Sequence, residues 1–268
     1  MRTSDEKEYV IKLVTPETES KLFVGPYQIK LEAQALCSLN HRNIIKCYES
    51  GLGILDFTSI GECPNSIPAC YIVLEYLKGG SLFDLMRKSP LDKKFAKDVF
   101  KDICKAVAHS HASGWIHRDI KPENVMFDIQ TNGQFTTKLI DYGLACPFLG
   151  EFYNGLSYER VGSKYYWPPE LQCFAYPCGY IPAKADIYSL GITLFEMSFS
   201  FSPFYYPRPW WNFRSFLDQR FWQEVEGLAQ VEPDYLLRNL LGHMLTPNPL
   251  YRPSIEDVIA HAWLGNNI

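Results

Sequence analysis

Apolar and polar positions along the chain change period twice. EYVIKLV (8–14) alternates as a half-buried strand does. In YQIKLEAQALCSLN (27–40), Ile29, Ala33 and Leu36 recur at helical spacing. Residues 51–70 are rich in Gly, Pro and Ser and read as a loop with a weak strand inside. YIVLEY (71–76) is a β-branched and aromatic run, and KGGS breaks it. The pattern then turns helical. In PLDKKFAKDVFKDICKAVAHSHASG (90–114), Phe95, Val99, Ile103 and Ala106 share one face, with Asp92 as N-cap and Gly114 as stop. NVMF and KLID read as two strands around an Asn-Gly turn at 132–133, and from about residue 185 the pattern is nearly all helical. These elements divide the chain near the KGGS break into 1–77, mixed β plus one helix, and 78–268, larger and mainly helical.

Composition narrows the class. The chain has 268 residues, 47% hydrophobic and 21% charged, enough for one large domain or two lobes around a cleft. A net charge of −4 without a long basic run argues against nucleic acid as partner. The longest apolar segment, around Ile187–Met197, falls far short of the roughly 20 residues of a membrane span. Eight cysteines contain no Cys-x-x-Cys pair, so neither a zinc site nor a disulfide framework is expected. Together with the absence of a signal-like start or a glycosylation sequon, this implies an intracellular, cytoplasmic protein.

The chemistry concentrates in HRDIKPEN (117–124), where an acid, a base and an amide share one short loop. In a two-residue hairpin, residues equidistant from the turn face each other. Asn124 and Asp141 each stand eight positions from Asn132-Gly133, so this spacing expects an amide oxygen and a carboxylate side by side. Two hard oxygen ligands suit Mg²⁺ when phosphates supply the others.

HRDIKPEN, DYG (141–143) and PPE (168–170), in that order, resemble the eukaryotic protein-kinase signature. The likeness continues through ADIYSLGITLFEM (185–197) and Arg252 to HAWL (261–264). It implies an α+β bilobal kinase fold and a serine/threonine protein kinase using ATP and Mg²⁺ on protein substrates, as a monomer. By that resemblance Asp119 accepts or orients the substrate hydroxyl proton, and Lys121 stabilises charge on the transferring phosphoryl group. Asn124 and Asp141 hold Mg²⁺. Lys12 of Val-Ile-Lys contacts the α and β phosphates and pairs with Glu32. The Glu75 carbonyl and Leu77 amide bind the adenine edge, with Leu74 as gatekeeper and Met126 as pocket floor. A Lys two residues after the Asp is the serine/threonine pattern. Asp186 is expected to brace the catalytic loop, and Glu170 to pair with Arg252. FWQEVEG and HAWL faintly resemble calcium/calmodulin-dependent-type kinases.

The pattern departs from the family in places. Only eleven residues precede Lys12 and none is Gly, so the Gly-rich loop over the phosphates is missing from these residues. That admits either a piece of a longer protein or a relative with an open nucleotide site, and a non-catalytic scaffold is the alternative function. Tyr142 replaces the usual Phe, and its hydroxyl needs a partner if buried. Pro168 replaces the usual Ala. No threonine occurs between Asp141 and Glu170. The family's phosphorylated Thr commonly lies four residues before the Ser/Thr of a Gly-Thr/Ser pair; Gly162-Ser163 puts Glu159 there. A fixed carboxylate facing Arg118 is the expectation, with Ser157 or Tyr158 as the alternative regulatory site.

Overall fold

A computed structural model describes residues 7–14, 26–55, 67–130, 132–148, 156–172, 179–203, 218–230 and 234–265. Cys63, Cys173 and Cys178 lie outside them. The smaller part holds strands β1 (Tyr9–Val14), β2 (Cys47–Leu55) and β3 (Ile67–Glu75), and helix α1 (Pro26–Ser38). The strands form an antiparallel sheet in the order β1-β3-β2. Lys12 stands opposite Ile72 in this sheet. A bulge interrupts β2, where Cys47 opposes Leu74 and Glu49 opposes Val73.

The sequence reading of 51–70 as a loop with a weak strand inside understates the strands: β2 runs on to Leu55 and β3 begins at Ile67. Gly51 and Gly53 are paired strand residues, opposite Tyr71 and Ala69. Glycine lowers intrinsic strand preference, but here the Tyr71 ring lies over the bare Gly51 and Gly53 backbone.

The chain leaves β3 through Leu77-Lys78-Gly79-Gly80. Gly79 N–H donates to the Phe127 carbonyl at 2.9 Å, and Phe127 N–H donates to the Gly80 carbonyl at 3.1 Å. A Cβ on Gly79 would stand 2.6 Å from Phe127 Cβ, so only glycine permits this approach. The KGGS break is therefore a docking point as well as a punctuation mark.

Helices α2 (Leu82–Met86) and α3 (Lys93–Ala112) follow, then β4 (Trp115–Ile116), β5 (Val125–Ile129), β6 (Phe135–Leu139) and β7 (Cys146–Pro147). Asp92 caps α3, accepting from Lys94 N–H at 2.9 Å and Phe95 N–H at 3.0 Å. Val99, Ile103 and Ala106 are buried, and Phe95 packs at the rim. The remaining helices are α4 (Pro169–Gln172), α5 (Pro182–Phe199), α6 (Gln219–Ala229), α7 (Tyr235–Met244) and α8 (Ile255–Ala260). α5 is buried over nearly its whole surface, as its lack of a polar face requires, and α3 and α7 pack on it. Pro182 opens it at a position where no N–H is needed.

The β5–β6 register also differs from the hairpin expectation. Val125 opposes Leu139, and Ile129 opposes Phe135. Gln130 N–H donates to the Gln134 carbonyl at 2.8 Å, and Gly133 takes φ +80°. The turn thus spans one residue more than a two-residue loop, with glycine in the left-handed position of the longer hairpin. Ile140 N–H donates to the Asn124 carbonyl at 2.9 Å, so Ile140 rather than Asp141 is the counterpart of Asn124.

Candidate active site

The HRDIKPEN loop is held by one buried carboxylate. Asp186, on α5, accepts from His117 N–H at 3.0 Å and Arg118 N–H at 2.8 Å, and His111 Nε2 lies 2.9 Å away. This grip fixes Arg118 at φ +66°, a conformation a non-glycine residue rarely adopts. Asp119 N–H donates to His117 Nδ1 at 3.2 Å, and His117 Nε2 meets the Ile140 carbonyl at 2.9 Å. A backbone N–H donates and a carbonyl accepts, so the contacts make Nδ1 the acceptor and Nε2 the donor of the ring.

Asp119 is buried, and both of its oxygens are engaged. Oδ1 accepts from Ser163 N–H at 2.8 Å; Oδ2 accepts from Lys121 Nζ at 2.7 Å and Asn124 Nδ2 at 3.1 Å. Lys121 Nζ also donates to Ser163 Oγ at 2.7 Å, joining the loop to the segment that carries Gly162-Ser163. Gly162, at φ +93°, makes this closeness possible: a Cβ there would lie 2.4 Å from the Arg118 carbonyl oxygen. Burial alone would raise the Asp119 carboxyl. The charge and hydrogen bond of Lys121, with the Ser163 bonds, outweigh it and hold the carboxyl below the ordinary carboxylate range.

A second charged group joins Lys12, Glu32 and Asp141. Lys12 Nζ donates to Glu32 Oε1 at 2.7 Å and Oε2 at 2.8 Å, and lies 3.3 Å from Asp141 Oδ1. Burial would lower the Lys12 ammonium, but the Glu32 and Asp141 charges more than offset it and raise it. Glu32 is buried beside Leu31, Ala35 and Leu36, so the apolar face of α1 delivers a carboxylate to the sheet. Asp141 sits at φ +60° with its Oδ1 accepting from Gly143 N–H at 3.2 Å, and its side chain is half exposed. Asn124 turns its amide NH₂ to Asp119, donating also to the Asp119 carbonyl at 2.8 Å.

At the hinge, Leu74 and Leu77 are buried, and Met126 on β5 is partly buried and bridged to Ser81. The Glu75 side chain braces the fold. Its Oε1 accepts from Lys46 N–H and from Lys138 Nζ, each at 2.6 Å, tying β3 to β6. Sequence reading missed this brace and the His111 and His117 contacts. Nothing in a strand pattern marks Lys138 as inward-facing.

Tyr142 is fully buried and its hydroxyl meets Ser110 Oγ at 2.7 Å, which supplies the partner its burial demands. Arg118 donates from Nε to the Leu144 carbonyl at 2.6 Å and from Nη1 to Glu159 Oε2 at 3.0 Å. Arg252 and Glu170 form a two-pronged pair, with both contacts at 2.6 Å.

Among the described residues no helix is long and apolar enough to cross a membrane, and no cluster of three or more His, Cys, Asp or Glu could hold a metal. A family model described as protein kinase domain matches residues 1–264. Maternal embryonic leucine zipper kinase of Xenopus tropicalis is 32% identical over 241 residues, covering 88% of this chain and 32% of its own length. CBL-interacting protein kinase 28 of Oryza sativa subsp. japonica is 28% identical over 266 residues, covering 97% of this chain and 54% of its own. CBL-interacting serine/threonine-protein kinase 20 of Arabidopsis thaliana is 32% identical over 242 residues, covering 88% and 48%. The chain thus spans from about a third to about half the length of these relatives.

Proposed function

This chain belongs to the protein kinase domain family, and on that premise we propose that it transfers the γ-phosphate of ATP to serine and threonine hydroxyls of protein substrates. The observation that carries the proposal is the Asp119 constellation, a carboxylate kept ionised by Lys121 and oriented by Asn124 and Ser163, beside a Lys12–Glu32 pair that reaches Asp141.

In this reading Asp119 orients the incoming hydroxyl and accepts its proton. Its depressed pKa makes it a weak base, and that suits a loose transition state in which the proton leaves late. Lys121 lies against Asp119 and Ser163, placed to stabilise negative charge on the phosphoryl group. Lys12 takes the α and β phosphates, with Glu32 fixing its direction. The Glu75 carbonyl and Leu77 amide take the adenine edge, between Leu74 and Met126. Asp141 and Asn124 offer a carboxylate and an amide oxygen, hard donors that fit Mg²⁺. When bound there, the ion would neutralise charge between phosphates.

The divisions 1–77 and 78–268 are the two lobes of the same proposal, with Glu75–Leu77 between them. We place the protein inside the cell, acting as a monomer. Regulation belongs here too. Arg118 is buried and meets the Glu159 carboxylate where related kinases place a phosphate. A permanent carboxylate then orders the segment with one charge instead of nearly two.

The direct test offers Mg·ATP with peptides bearing Ser, Thr or Tyr and identifies the phosphorylated amino acid. Phosphoserine and phosphothreonine are expected. Phosphotyrosine alone would overturn the substrate class.

A further inference from the structure

The sulfurs of Cys37 and Cys47 stand 3.3 Å apart, outside the phosphoryl-transfer site. Cys37 lies exposed in the last turn of α1, and Cys47 opens β2 half-buried. The β2 bulge falls at this cysteine, with Tyr48 as its extra residue, and bulges commonly re-aim side chains. Here the strand presents Cys47 Sγ to the helix end, while Ser50 Oγ lies 3.3 Å from Cys37 Sγ on the other side.

We propose that Cys37 and Cys47 are a reversible disulfide-forming site, closed by hydrogen peroxide and opened by a thiol reductant, that ties the end of α1 to β2. A disulfide needs its sulfurs about 2.05 Å apart, so the pair must close by roughly 1.3 Å, within reach of side-chain rotation. Cys37 is the sulfur an oxidant can reach. Its thiolate attacks the peroxide O–O bond, giving a sulfenic acid and releasing water once the leaving oxygen takes up protons. Cys47 sulfur then attacks Cys37 sulfur; the S–O bond breaks, and the hydroxide leaves as water with the Cys47 proton. Two thiols and one peroxide thus give one disulfide and two waters. Burial and the adjacent Cys37 sulfur push the Cys47 thiol up to about 12, so Cys47 remains protonated until it resolves the sulfenic acid.

The bond has a consequence for α1. Glu32 lies five positions before Cys37 on the same helix, and the sulfurs meet in the arrangement in which Glu32 holds Lys12. Oxidation therefore captures α1 in the paired position. Its effect on phosphoryl transfer rests on the role proposed above for Lys12 and Glu32.

Trypsin provides the test, because it cuts after Lys30, Arg42 and Lys46 and so separates the two cysteines. The chain is treated with hydrogen peroxide, alkylated and digested. Peptide 31–42 joined to peptide 47–78 is expected, with fragmentation placing the link at Cys47 rather than Cys63 or Cys70, together with a higher Tm than the reduced chain. Dithiothreitol should reverse both, and Cys37→Ser should abolish both. Sulfinic acid at Cys37 without the joined peptide would overturn the proposal, as would Cys37 joined to another cysteine. These readouts need no kinase activity, so they stand or fall apart from the catalytic reading. A joined peptide with a raised Tm but lost transfer would overturn only the claim that the bond captures the paired helix.

Discussion

Glu170→Gln isolates what the Arg252 pair contributes to the larger lobe. The Arg252 side chain is wholly buried, and every one of its five N–H groups has an acceptor. Two go to Glu170 at 2.6 Å; the others reach the carbonyls of Thr246 at 2.7 Å, Pro247 at 3.0 Å and Lys184 at 3.2 Å. The guanidinium also lies over the Tyr188 ring, 5.0 Å from its centre. Glutamine keeps the volume but removes the anion, and turns an NH₂ against a guanidinium donor. Breaking a buried pair from one side costs about 3–5 kcal/mol. The three remaining carbonyls and the ring keep part of the solvation, which puts the expected loss near the lower end, about 3 kcal/mol. At roughly 2–4 °C per kcal/mol for a chain of this size, Tm should fall by about 6–12 °C. Calorimetry of the single variants and of Glu170→Gln with Arg252→Met measures the coupling directly. The double variant should lose less than the sum of the singles. A Glu170→Gln Tm within about 2 °C of the parent, the range of an ordinary surface substitution, would refute this reasoning.

Two further predictions concern the site. Phosphatase treatment should leave phosphoryl transfer nearly unchanged, while Glu159→Gln should lower it several-fold by leaving the buried Arg118 without its carboxylate; the opposite pattern would assign regulation to Ser157 or Tyr158. The Asp119 carboxyl is held below its ordinary value of about 3.9, so its stabilising contribution is complete above that value and lost as pH falls through the lower folded one. Lys121→Met removes the cation that holds it down and leaves burial to raise it. The acid limb of the kcat/KM profile should then move toward neutral pH, and an unmoved limb would mean that Lys121 does not set the Asp119 charge.

Much of this site was legible because its parts are local or spaced by motifs. HRDIKPEN places Asp119, Lys121 and Asn124 on one loop, and resemblance alone pairs Lys12 with Glu32 and Glu170 with Arg252. What escaped the sequence was long-range or geometric. The β2 glycines fell in a stretch read as loop with only a weak strand inside, because strand preference says nothing of a tyrosine ring lying over bare backbone. The Asn-Gly turn was right in place and wrong in length. One added residue shifts the facing pairs, so Asp141 reaches the site through its own left-handed backbone and not from a strand position opposite Asn124. Lys138 and Glu75 sit in strands whose pattern does not reveal that one carboxylate braces two parts of the fold. The Tyr142 hydroxyl was foreseen to need a partner, but only folding shows that Ser110 supplies it.

The central claim is that Asp119, held by Lys121, Asn124 and Ser163, carries phosphoryl transfer. The measurement closest to it is single-turnover transfer from Mg·ATP to a serine or threonine peptide substrate, comparing the parent with Asp119→Asn. The change from carboxylate to amide removes a base and keeps the shape. The account predicts that the variant stays folded and binds nucleotide like the parent, yet loses transfer by at least about 10²-fold, the usual contribution of a positioned general base. Transfer at the parental rate by a folded, nucleotide-binding Asp119→Asn would contradict it.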